Sequence, residues 1–183
     1  MPVRNSWRLA APLAAILLGS MLVLAGCDTI GTESVTLRKD VNFRFEFSTE
    51  GREAGTAFNV DAVGTVDFGE VIAPEGFTTD EIIAVNVHSV SVQRVTPVGT
   101  NLDAFDRIAL ALVASGVPTR TVAELEPVPS SREATLPIVR SDVTQLAVQP
   151  SFRGRLTVVP AATPTEQYVL TARMEVVVEV EGV

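Results

Sequence analysis

The sequence predicts an all-β fold, an immunoglobulin-like or jelly-roll β-sandwich of about eight strands. One or two short helical turns and a preceding signal-peptide helix complete the expectation. Three observations carry it. Apolar residues recur with period two through most of the chain after residue 34, the spacing of strands that bury one face. Turn-rich stretches at 49–56, 96–101, 126–135 and 160–167 cut the chain into short runs. No long stretch repeats every 3.6 residues, so helix bundles and alternating βαβ units are disfavoured.

In order along the chain, VNFRFEF sends Val41, Phe43, Phe45 and Phe47 to one face and Asn42, Arg44 and Glu46 to the other. Shorter strand candidates follow at 57–63, 65–72, 83–95, 106–114, 119–125, 135–140 and 152–159. Thr78 and Glu81 fit a capping box ahead of Ile82 and Ile83, which predicts one or two helical turns at 78–84. A similar short turn is expected from Ser141 to Leu146. Within 83–95 the apolar phase moves from Ile83, Val85 and Val87 to Val90 and Val92. A bulge near His88 and Ser89, or burial on both faces, accounts for that switch. The last run is the clearest: Tyr168, Leu170, Ala172, Met174, Val176, Val178 and Val180 alternate with Thr171, Arg173, Glu175 and Glu179. With 183 residues, 46% of them hydrophobic, the chain supplies one core, and its loops are too short to be interdomain linkers.

The amino-terminal segment has a different design. Arg4 and Arg8 form a short basic region, Leu9 to Leu24 carries no charge, and Leu24-Ala25-Gly26 leads to Cys27, the only cysteine. This is the layout of an export signal. A spanning helix wants about 20 apolar residues, and Gly19, Ser20 and Gly26 shorten this one. Leu24-Ala25-Gly26-Cys27 resembles the lipobox of bacterial lipoprotein precursors. The resemblance covers the first 27 residues. It implies cleavage before Cys27, a diacylglycerol on its thiol and a further acyl chain on the freed amino group. Several chains hold firmly because each buried methylene contributes about 0.8 kcal/mol. A lone cysteine has no intrachain disulfide partner in any case.

That resemblance divides the chain into a signal peptide at 1–26, an anchor cysteine and tether at 27–34, and a single domain at 35–183. It also implies a bacterial envelope location, attached to the membrane by lipid. Asp28 resembles the inner-membrane retention signal of enteric bacteria, although acidic residues near the cysteine accompany surface export in other lineages, so both leaflets stay open. The seven residues DTIGTES reach about 20 Å when extended, which keeps the domain near the bilayer.

Charge and side-chain inventory bound the chemistry. All 22 acidic residues follow Cys27, against twelve of the fourteen basic ones, a net of −10 that repels nucleic acid. His88 is the only histidine and sits inside a strand-like run, so a structural role is expected of it and structural zinc is set aside. For calcium, Asn101, Asp103 and Asp106 are the nearest approach to a cluster, but no D-x-D-x-D-G loop is present. An acidic surface, no required metal and no cofactor are expected. Trp7 precedes the lipobox and Tyr168 is the only tyrosine, which leaves no sugar-stacking platform; Phe43, Phe45 and Phe47 read as core. Arg153 and Arg155 read as a solvated strand face with a capacity for anion contact. Neither GxSxG, a phosphate-binding loop, GxGxxG nor S-x-x-K is found.

The expected function is noncatalytic: a lipid-anchored binding or structural module with an envelope protein as partner. The alternative is a periplasmic carrier of an apolar ligand or lipid. An enzyme built on a carboxylate pair ranks third, because no spacing nominates the pair.

Overall fold

Strand order, more than strand count, decides between the two kinds of sandwich. The computed structural model describes residues 33–162 and 166–182. Its strands are β1 (Ser34–Ser48), β2 (Phe58–Asp61), β3 (Ile82–Thr96), β4 (Phe105–Ala114), β5 (Val117–Leu125), β6 (Glu133–Thr135), β7 (Phe152–Pro160) and β8 (Gln167–Glu181). Two short helices, α1 (Phe68–Ile72) and α2 (Thr144–Ala147), lie in the longer connections. The sheets run β1-β8-β3-β6 and β2-β7-β4-β5, all antiparallel. Pairs β1·β8, β2·β7, β3·β6 and β4·β5 are those of one long hairpin that turns at Ser115 and Gly116; pairs β3·β8 and β4·β7 arise when that hairpin wraps on itself. This is a jelly roll. Immunoglobulin-like sheets, which join the first, second, fifth and fourth strands, are thereby set aside.

The core follows the alternation. Every inward residue of β8 from Tyr168 to Val180 is buried, as are Val41, Phe43 and Phe45 of β1 and Phe152, Leu156 and Val158 of β7. The faces interdigitate closely: a Cβ on Gly154 would meet the Phe43 ring at 2.8 Å, so only glycine fits there without displacement. In β3 the register shifts between Val87 and Ser89, which is the bulge expected at His88. A second shift, between Ile82 and Ala84, turns Ile83 outward, 46% exposed, where simple alternation had placed it inside.

Three sequence expectations need correction. Residues 65–72 are not a strand: Val66 makes one bridge to Phe152, and then Asp67 caps α1 by accepting the Gly69 N–H at 2.9 Å. Phe68 and Ile72, four apart, bury the same helix face, which is why helix wins over strand here. The helical turn at 78–84 is a single 3₁₀ turn, Thr79–Glu81, because Ile82 already starts β3. Its box is real, with Thr78 N–H donating to Glu81 at 2.7 Å. Finally, 135–140 is a strand only as far as Thr135.

Beyond Thr135 the chain crosses between the sheets. Leu136 N–H bonds the Val90 carbonyl, Val139 and Arg140 N–H groups bond Val122, and Ser141 and Val143 return to Val87 and Val85. The segment therefore laces one side of the sandwich and pairs with the β5 edge at Val122 and Glu124.

The wrapping also sorts the connections by end. Ser34 opens β1 beside Glu181, the last residue of β8, and Ile82 opens β3 opposite Val180 at that same end. The β1–β2, β3–β4, β5–β6 and β7–β8 loops fall at the other end. Fifteen residues of β1 at about 3.3 Å each put roughly 45 Å between the two ends.

Candidate functional site

Among the residues singled out from sequence, Leu24, Ala25, Gly26, Cys27 and Asp28 lie outside the described residues. His88 is exposed at the bulge and does not enter the core. Its neighbour Ser89 donates to Glu175 at 3.4 Å. Asn101 and Asp103 do come together, but through a hydroxyl: Asn101 Nδ2 donates to Ser130 Oγ at 3.1 Å, and Ser130 donates to Asp103 at 2.6 Å. Asp106 points to solvent on β4 and takes no part. The Ser130 hydroxyl and the Asp103 carboxylate are engaged with each other, and among the described residues no group of three His, Cys, Asp or Glu side chains is placed to hold a metal ion. Arg153 and Arg155 face outward as expected, and both engage Asp61, at 3.3 and 2.6 Å. Hydrogen bonding from Arg155 first, with both nearby cations adding to it, holds the Asp61 carboxyl below its ordinary range.

The four-loop end is the most elaborated part of the molecule. Beneath it Phe47, Phe58, Phe105 and Tyr168 form an aromatic cluster, with ring centroids 5.1 to 6.0 Å apart. Arg94, 3% exposed, enters this cluster from β3 with its guanidinium 4.5 Å from the Tyr168 ring. It donates to the Asn101 carbonyl and, at 3.4 Å, to Glu166. Burial pushes the Tyr168 hydroxyl up from its ordinary value; the Arg94 cation works against this and the Glu166 charge with it.

The loops are tied to one another through their backbones. Thr49 of β1–β2 donates to Glu166 of β7–β8 at 3.3 Å, Leu102 of β3–β4 to Ser131 of β5–β6 at 2.7 Å, and Ala161 to Ala104 at 2.9 Å. Such a platform holds its surface groups in fixed relation, the setting in which loops carry recognition. Val98, at the tip of β3–β4, is 81% exposed.

Sequence reasoning missed Arg94, although the signal was present. Once the phase has switched at the bulge, Val90, Val92 and Arg94 follow one another inward with period two. Among the described residues, open surface depressions of about 300 to 510 Å³ lie around the sandwich. The space between the sheets, which a carrier would use, is occupied at its middle by Phe43, Phe45 and Phe152. Among the described residues no helix is long and apolar enough to cross a membrane.

No protein-family model and no curated protein matches this chain. Solved structures with likeness to it include one of the infectious bursal disease virus Gt strain, at 17% identity and a TM-score of 0.41, covering 98% of this chain and 42% of that one. A mutant VP2 protein of the same virus aligns at 16% identity and a TM-score of 0.43, covering 98% and 40%. The decameric BFDV capsid protein aligns at 14% identity and a TM-score of 0.34, covering 80% and 99%. The chain thus spans about two fifths of the first two. These likenesses carry no argument about activity, and the jelly roll stands on the strand order.

Proposed function

We propose that this protein is a lipid-anchored envelope lipoprotein whose jelly roll is a noncatalytic module binding another envelope protein through its four-loop end. The observation that supports this reading is one of placement. Ser34 opens β1 seven residues after Cys27, so a tether of about 20 Å reaches the end of the sandwich opposite the loops. An anchor at Cys27 would hold that end toward the bilayer and turn the tied loops outward. Cross-linked loops on a rigid sandwich suit binding, since little conformational entropy remains to be lost on contact.

The anchor and the binding surface are tested together in cells. Labelled fatty acid is expected in the wild type and absent from Cys27→Ala; incorporation into the variant would overturn the anchor. A photo-crosslinking residue at Val98 is expected to capture a heterologous envelope protein, while the same residue at Ile83, at the opposite end, captures none. Recovery of the monomer alone from Val98 would overturn the binding reading.

A further inference from the structure

Most basic side chains of the described residues are already engaged. Arg38, Lys39, Arg44, Arg94, Arg107, Arg153, Arg155 and Arg173 have carboxylate partners. Arg52 lies over the Phe58 ring at 4.7 Å, and Arg132 donates to the Arg94 carbonyl at 3.1 Å. Two further arginines, Arg120 and Arg140, line the same depression, of about 510 Å³, on the laced side of the sandwich.

Their proximity is built into the backbone. Arg140 N–H bonds the Val122 carbonyl at 3.2 Å, which sets it beside the Arg120-Thr121 stretch of β5. Gln145 of α2 then orients Arg120 by accepting from its Nη2 at 2.7 Å. Arg120 Nε is shielded from solvent without an acceptor, so this guanidinium is partly desolvated and has no counter-charge in contact. The carboxylate nearby, Asp142, accepts the Thr144 N–H and hydroxyl at 3.0 and 2.8 Å and attracts both arginines at longer range, without forming an ion pair with either. The two guanidiniums thus border one depression with a single carboxylate, Asp142, within electrostatic reach of both, which leaves a surplus of positive charge for a bound anion to neutralise.

We propose that this groove binds the phosphate group of an organic phosphate ester. Two guanidiniums offer more donors than the two oxygens of a planar carboxylate can use, and they suit the oxygens of a tetrahedral phosphate. The depression is also far larger than a bare phosphate and lies within the size range of ligand pockets. Val139, 58% exposed, and Pro118 line it and would receive the ester's apolar substituent. The ester can be a soluble molecule or a lipid headgroup; the chemistry at the arginines is the same. This inference does not depend on the anchor or on the loop end.

The test uses the full-length chain in micelles of a neutral detergent, titrated with phenyl phosphate and followed by calorimetry. Saturable binding is expected, weakened at least about 10-fold in the Arg120→Gln, Arg140→Gln double variant by loss of its charge-assisted pairs. Arg140→Gln alone, at an exposed side chain, is expected to weaken binding without changing the thermal midpoint, which separates binding from folding. Arg38→Gln, on the other sheet, should leave affinity unchanged. Doping the micelles with phosphatidylglycerol but not phosphatidylcholine would displace phenyl phosphate if the ester is a lipid headgroup; no displacement by either assigns a soluble ester. Absence of saturable binding, or binding indifferent to both arginines, would overturn the proposal.

Discussion

Arg94 and Tyr168 show how much a single inward position can decide. An arginine at the core end of β3 is tolerated because its charge finds a ring face, a carbonyl and the half-exposed carboxylate of Glu166. Replacing it by alanine removes all three, and destabilisation of about 1–3 kcal/mol is expected in chemical denaturation. Tyr168 gives a direct readout, because it is the only tyrosine in the chain. Its phenolate absorbance is expected to appear at a pH above the ordinary value of about 10, since burial opposes the charge. Glu166→Gln takes away a charge that raises this value, so the midpoint should move down; an upward shift would contradict the arrangement. Gly154 is decided by sterics alone. Gly154→Ala forces a Cβ to within 2.8 Å of Phe43, and a loss of about 1–3 kcal/mol is expected.

At the scale of elements, β8 is the strand on which the larger sheet depends. It pairs with β1 along its whole length and with β3 along most of it. Native-state hydrogen exchange should therefore find the slowest amides in the middle of β8, around Ala172 to Val176, and faster ones in the lacing segment 136–143. The opposite ranking would mean that the lacing, and not the paired strands, sets the stability. These two elements also mark what the sequence disclosed. β8 was legible because both its neighbours leave one face buried, so alternation is unbroken from Tyr168 to Val180. The bulge at His88 was legible as a break in the same signal. The lacing was not, because its residues bond one sheet and then the other, and no single period survives such a path. Helix α1 was hidden differently: Phe68, Val71 and Ile72 suit either structure, and the decision came from Asp67 as a cap. At the loop end, the Asn101 and Asp103 pairing depends on Ser130, some 27 residues away, a contact that only the wrapped hairpin creates.

For the whole molecule, the pH response draws on cross-strand ion pairs and on local caps, and the wrapped hairpin sets which end carries the four loops. Asp40, Asp61, Glu81 and Asp142 all have carboxyls held below their ordinary range, by Arg173, Arg155, Thr78 and Thr144 respectively. Depressed values contribute stability above the unfolded range near pH 4, and that contribution is lost as pH falls through the folded values. Tyr168, raised by burial, acts in the other direction, its contribution being lost as pH rises past about 10. Denaturation midpoints are therefore expected to be level across the neutral range and to fall on both sides, gently on the acid side because those carboxylates are exposed and solvent-screened. Direction follows from topology. With the anchor proposed at Cys27, Ile83 stands at the end of the sandwich where β1 begins, and Val98 at the end roughly 45 Å beyond it. A fluorophore placed at Ile83 of the lipid-modified protein in vesicles should be quenched by headgroup-labelled lipid, and one at Val98 much less, because that separation exceeds the short range of contact quenching. Equal quenching at the two positions would mean that the sandwich lies flat on the bilayer, and the loop end would then lose its claim to be the outward-facing surface.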